Sequence, residues 1–157
     1  MQFTLIDRIT RIDPGERITA LKSLSLAEDY LQDHFPRFPV MPGVLMLESL
    51  FQASSFLVYY SEQFKHAVVL LKEARNIKYA DFVAPGQQLV VEAQIVKQDE
   101  ETTTLKAEAT VDGRRAVSGR LILEKFNLAD RHACHAGTDD VVRQKMRAKL
   151  DLLYQPA

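Results

Sequence analysis

Hydrophobic and polar positions change period twice along the chain. Over residues 16–26 apolar side chains alternate loosely (Ile18, Ala20, Leu24, Leu26), which predicts a strand entered through the turn Pro14-Gly15. Residues 27–40 hold no period, and Pro36 and Pro39 block regular pairing, so an irregular segment is expected. Pro42 suits a helix start, and residues 43–59 are apolar almost all round, as a fully buried helix requires. The period then shortens, and residues 68–80, 88–97, 102–111 and 114–126 read as four strands. Pro85-Gly86 marks one turn, and Asp112-Gly113 is a strong hairpin signal. A strand, a helix and then a run of antiparallel strands predict an α+β fold. Residues 127–138 are small and polar and read as a linker after a domain of residues 1–126. A helix is expected over 138–154, capped by Thr138, with Asp139 and Asp140 in its first turn. Its stripe Val142, Met146, Leu150 and Leu153 predicts docking on its own domain or on a neighbouring subunit, with a helix for another partner as the alternative.

Composition narrows the class. The chain has 157 residues, of which 46% are hydrophobic and 26% charged, which is one globular domain and excludes disorder as the main state. A formal net charge of −1 weakens any case for nucleic acid as partner. The single cysteine, Cys134, excludes an intrachain disulfide framework and fits a reducing, cytoplasmic setting. Asp7, Arg8 and Arg11 interrupt the opening residues, so no secretory leader is read there. No membrane span is expected, because the longest nearly uncharged stretch (38–61) carries Pro39, Pro42, Gly43 and Glu48.

Motifs for nucleotide-phosphate cradles, zincins, thiol redox pairs and nucleophile elbows are absent from the sequence. Asp130-Arg131-His132-Ala133-Cys134-His135 places two imidazoles and a thiol within four positions. A structural zinc takes four ligands with a fixed second shell, so a solvated segment is expected there and no metal site is assigned. His66, near the end of the long helix, is read as a structural or surface residue.

Two residues stand apart. His34 lies in a proline-braced loop that can hold an imidazole in one place. Glu48 lies in the apolar helix among Val44, Leu45, Leu47, Phe51 and Gln52. A carboxylate there loses hydration, which favours its protonated form, and such a carboxyl near an imidazole is the material of paired acid/base chemistry. The other reading is a buried glutamate satisfied by Gln52 or backbone, with His34 a loop residue. Physics alone leaves both open.

The stretch His34-Phe35-Pro36 through Pro39, Met41-Pro42-Gly43-Val44-Leu45, Glu48 and Gln52 strongly resembles the signature of the FabZ-type (3R)-hydroxyacyl-[acyl-carrier-protein] dehydratases. Flanking matches extend the resemblance over about residues 4–126: Leu5-Ile6-Asp7-Arg8-Ile9, Asp13-Pro14-Gly15-Glu16-Arg17-Ile18, Lys78-Tyr79, Val83-Ala84-Pro85-Gly86 and Val111-Asp112-Gly113. The resemblance implies a hot-dog fold, a long helix wrapped by a curved antiparallel sheet. It implies a homodimer, in some members a trimer of dimers, and a substrate carried on acyl carrier protein or coenzyme A. It also implies that His34 and Glu48 are the catalytic pair, drawn from opposite subunits, and that Gly43 polarises the thioester carbonyl through its N–H. Gln52 is expected to orient Glu48, and Val44 and Phe51 are expected to line the acyl site. The implied reaction is loss of water to a trans-2-enoyl thioester in fatty-acid or related acyl-chain biosynthesis, with no cofactor.

The sequence departs from that pattern at Asp33, where the family usually has glycine, at Phe51, usually small, and at Ala80-Asp81, usually basic. Asp33 would favour the imidazolium of His34, Phe51 would shorten or redirect an acyl tunnel, and Asp81 would weaken docking of an acidic carrier. Arg37, Lys72 and Lys78 are candidates to compensate. Alternatives are another hot-dog thioester enzyme (a thioesterase or an isomerising dehydratase) and a non-catalytic acyl-thioester binding protein.

Overall fold

The computed structural model describes residues 3–156. Its elements are β1 (Arg8–Asp13), β2 (Arg17–Ser23), α1 (Tyr30–Asp33), α2 (Gly43–Ser61), β3 (Val68–Tyr79), β4 (Gln88–Gln98), β5 (Thr102–Val111), β6 (Arg114–Phe126) and α3 (Ala136–Leu153). The strands form one six-stranded sheet in the order β1-β2-β4-β5-β6-β3, every pair antiparallel. The sheet curves around α2, which packs against β2, β3, β4, β5 and β6. A central helix in an antiparallel wrap is the hot-dog architecture the resemblance implies.

Alternation fixes the register of the wrap. Ile18 and Ala20 of β2, Leu89 and Val91 of β4, Leu105, Ala107 and Ala109 of β5 and Leu121 and Leu123 of β6 are all buried. Met46, Leu50, Ala53 and Leu57 are buried at helical spacing on α2 and meet them. Removing the Leu50 side chain to alanine would cost about 2–5 kcal/mol by the cavity rule. The helix is not buried all round, however. Glu48, Phe51 and Gln52 are half-buried and Val44 is exposed, so one stripe of α2 faces away from the sheet.

Strand β3 is an outer strand of the sheet and bends sharply. Its pairing with β6 slips between Leu71 and Glu73 and again between Arg75 and Lys78, with Asn76 in the left-handed region at φ 54°. Gly119 of β6 permits the second bend, because a Cβ there would stand 2.2 Å from Ile77 Cδ1 and 3.2 Å from the Arg75 carbonyl oxygen. The bend carries Tyr79 onto the start of α2.

Three local expectations are corrected. The irregular segment contains a single helical turn, α1, whose Leu31 is buried in the core. A strand, β1, precedes the one read from the pattern, and its alternation is hidden by Arg8, Thr10 and Arg11. Helix α3 begins at Ala136 rather than at a Thr138 cap. Asp139 stands in the first turn as expected, is buried, and accepts the N–H groups of Leu128 (2.8 Å) and Ala129 (2.9 Å). Those bonds hold a 3-10 turn at Leu128–Asp130, so the small polar residues there are ordered by hydrogen bonds, not by apolar burial. Leu150 and Leu153 of α3 join the core. Among the described residues no helix is long and apolar enough to cross a membrane.

Candidate active site

The His34 loop is stiffened locally. Helix α1 ends at Asp33, and His34 leaves it extended at φ −109° and ψ 105°. Phe35 then takes a left-handed conformation (φ 48°), and its carbonyl accepts the Phe38 N–H at 2.8 Å. The rings of His34 and Phe35 lie 4.4 Å apart, centroid to centroid. Met41 N–H donates to the Val83 carbonyl at 2.9 Å, which ties the loop to the β3–β4 connection. Pro42 precedes α2 and Gly43 is its first residue.

His34 and Gly43 line one cavity of about 260 Å³, together with Met41, Met46, Tyr79 and Phe82 among others. The N–H groups in the first turn of a helix have no partner inside it and carry the positive end of its dipole. The imidazole and the N-terminus of α2 therefore face the same space, one suited to take a proton and the other to hold negative charge. Gly43 lies close to Tyr79, since a Cβ there would stand 3.0 Å from Tyr79 Cε1 and press on that ring.

Glu48 lines a different space, a groove of about 380 Å³ with Phe51, Gln52, Phe56, Tyr59 and others. Five residues along a helix turn the direction by about 140°, which is why Gly43 and Glu48 face apart. Gln52 is the hub of this side. Its Nε2 donates to Glu48 Oε1 (3.2 Å) and to the Phe3 carbonyl (3.0 Å), and its Oε1 accepts the Leu5 N–H (2.9 Å). Glu48 is thus half-buried and held by Gln52, not enclosed among apolar neighbours as the helix pattern predicts. The Tyr59 hydroxyl donates to the Ala67 carbonyl at 3.0 Å, and burial pushes its phenol pKa up to about 12.

Within one chain, then, His34 meets Gly43, and Glu48 meets Phe51 and Gln52, but the two sets do not share a cavity. Val44 is 70% exposed and lines neither. Asp33 is exposed, and among the described residues no hydrogen bond joins it to His34. Asp81 also lines the His34 cavity, and its charge is held by Arg114 at 2.8 Å, which lowers its carboxyl pKa through that hydrogen bond. His66 pairs through Nδ1 with Glu62 at 3.2 Å, in keeping with a structural role. His132 and His135 lie edge to face at 5.9 Å with Cys134 exposed, and among the described residues no three metal-ligating side chains converge.

Sequence reasoning missed Tyr79 and Phe82 at the His34 cavity and Met146 and Lys149 at the Glu48 groove. Tyr79 was within reach as the neighbour of Lys78 in a recognisable pair. Met146 stood in the α3 stripe, but nothing in a stripe tells which groove it meets.

Comparison with known proteins shows the family. Residues 1–120 match the family model described as a FabA-like domain. The chain is 42% identical over 119 residues to a 3-hydroxyacyl-[acyl-carrier-protein] dehydratase FabZ of Lactococcus lactis subsp. cremoris, covering 76% of this chain and 82% of that protein. It is 35% identical over 119 residues to the protein of the same name from Ruminiclostridium cellulolyticum, covering 76% and 84%. Among solved structures, the dehydratase heterocomplex ApeI:P from Xenorhabdus doucetiae superposes with a TM-score of 0.67 at 18% identity, covering 85% of this chain and 90% of that one. At that identity the likeness concerns the fold alone.

Proposed function

The chain belongs to the FabA-like family, and from that membership we propose that it dehydrates (3R)-hydroxyacyl thioesters, carried on acyl carrier protein, to trans-2-enoyl thioesters in fatty-acid or related acyl-chain biosynthesis. The observation that carries the reading is the shared cavity of His34 and the N-terminus of α2 at Gly43.

The site is completed by a second copy. His34 and Glu48 face different spaces of one chain, so a site that uses both takes His34 from one protomer and Glu48 of the partner subunit. Strand β3 supports that assembly, because it leaves a long outer edge among the described residues and such edges invite pairing. Phe35 and Phe82 beside the cavity are each 60% exposed, as apolar residues awaiting a partner would be.

In the reaction His34 takes the proton from C2 of the substrate. The electron pair moves toward the thioester carbonyl oxygen, which the Gly43 N–H stabilises. The pair returns to form the C2–C3 double bond as the C3–O bond breaks. Glu48 of the partner subunit, protonated or holding a water, passes a proton to the departing hydroxyl, which leaves as water. The proton on His34 and the one lost by the carboxyl exchange with solvent, and the pair is reset. Each positioned acid or base contributes about 10²–10⁴-fold. Gln52 holds the carboxylate through its 3.2 Å bond.

The test is turnover of (3R)-hydroxyacyl thioesters on carrier protein and on short mimics, following the enoyl product, with free thiol measured alongside. Enoyl product that disappears in His34→Ala is the expected result. Free thiol without enoyl product would make the protein a thioesterase, and ligand binding without either product would make it a binding protein.

A further inference from the structure

Helix α3 lies beyond the residues that match the family, yet two of its side chains, Met146 and Lys149, line the groove of Glu48. They are three positions apart and so share one helix face. The helix that carries them is fixed. Leu150 and Leu153 are in the core, and Arg143 Nε donates to the Phe64 carbonyl at 3.1 Å. The Arg147 guanidinium stands 5.0 Å above the Phe64 ring, and Tyr154 meets Tyr60 edge to face at 6.0 Å. The Tyr60 and Phe64 contacts lie at or just past the C-terminal end of α2, whereas Glu48 is in its first half. From Glu48 to Tyr59 the helix rises about 16 Å.

We propose that α3 closes the far end of the acyl groove, and that Met146 and Lys149 are specificity-determining residues that limit the length of acyl chain accepted. The inference rests on the dehydratase reading, which puts the β-hydroxyl at Glu48. An acyl chain leaving that carboxyl along Phe51 and Phe56 meets the Met146 side chain. Lys149 stands half-buried at the same wall, and among the described residues it makes no ion pair. Its methylenes can cover the groove while its ammonium stays in water. Further methylenes of substrate would strip that ammonium of hydration, which is unfavourable. The stop is therefore steric at Met146 and polar at Lys149. Phe51, large on the same groove, narrows the path toward that wall.

The experiment is the profile of kcat/KM against even acyl length for (3R)-hydroxyacyl thioesters, measured on the full-length protein. Wild type is compared with Met146→Ala, Met146→Phe, Lys149→Leu and Lys145→Ala, the last on the exposed face of α3. Relative to wild type, Met146→Ala and Lys149→Leu each raise the long-to-short ratio of kcat/KM by about tenfold, the scale of one or two methylenes in an apolar pocket. Met146→Phe lowers that ratio and Lys145→Ala leaves it alone. Lys149 is half-exposed, so its variant keeps the test open if a change at Met146 disturbs folding. Active variants whose ratios all stay within twofold of wild type would overturn the inference and leave the dehydratase reading standing. A folded wild type that turns over no chain length would overturn both.

Discussion

The two ends of α2 are built from different material. The N-terminal end, where Gly43 meets His34, is shaped by a short run of neighbouring residues: the turn of α1, the left-handed Phe35, Pro36, Pro39 and Pro42. It is left open, with Phe35, Phe38 and Phe82 exposed around it. The C-terminal end is closed by residues distant in sequence. Lys125, fully buried, donates to Glu62 and to the Asp99 carbonyl (2.7 Å), Gln98 donates to Glu62 at 2.7 Å, and Arg143 and Asn127 seal the turn after the helix. In the proposed function the N-terminal end is completed by a second copy, while the far end is finished by the chain's own strands and last helix. Stability and chemistry are assigned to opposite ends of one helix, which lets each be altered alone.

Breaking the open end should remove activity and spare the fold. His34→Ala and Glu48→Gln are each expected to lower kcat/KM by about 10²–10⁴-fold, with the mass by light scattering and the melting temperature close to wild type. Unchanged rates in both would remove the assigned roles. Breaking the closed end should do the reverse. Lys125→Met leaves the Glu62 carboxylate without its buried cation and is expected to cost about 3–5 kcal/mol in chemical denaturation. If stability barely moved, the network would not be what holds that end.

Acid separates the ends again. Burial alone would raise the Glu62 carboxyl, but hydrogen bonds from Lys125, Gln98 and His66 outweigh it and hold its pKa below the usual carboxylate range. A depressed folded-state pKa contributes stability that is present above the unfolded value of about 4.3 and is lost as pH falls through the folded value. Unfolding free energy should therefore drop below about pH 4, and Glu62→Gln should flatten that part of the profile. An equal slope in the variant would place the acid sensitivity elsewhere. The smallest effect is expected at Gly43→Ala. The new Cβ would crowd Tyr79, which is half-exposed and can turn away, and the N–H is kept. A loss of less than about tenfold in rate, mostly recovered in the double variant with Tyr79→Ala, would show the two coupled. Additive losses would show them independent.

Much of this was legible in the sequence because it is local. The strands β4, β5 and β6 announce themselves by alternation and by Asp112-Gly113, and α2 by its apolar run after Pro42. The brace around His34 is written in Pro36, Pro39 and Pro42, spaced three apart. Other features depend on residues far apart in the chain. Strand β1 is masked by its outward arginines, and Asp139, a first-turn residue as read, also folds back to accept the Leu128 N–H, which no local pattern states. That Glu48 faces away from Gly43 follows from their spacing on α2, but that the His34 loop lies on the Gly43 side does not. The wall made by Met146 and Lys149 needed the docked position of α3.

Mixing two inactive variants tests most directly whether the site is shared between two copies. His34→Ala and Glu48→Gln proteins are purified, mixed in equal amounts, exchanged through mild denaturant and reassembled. A mixed dimer then holds one site with both residues intact and one with neither. Statistical assembly should restore about a quarter of wild-type turnover in a two-fold dimer. Turnover no greater than the sum of the two variants alone, from subunits shown to have exchanged, would contradict a site divided between protomers.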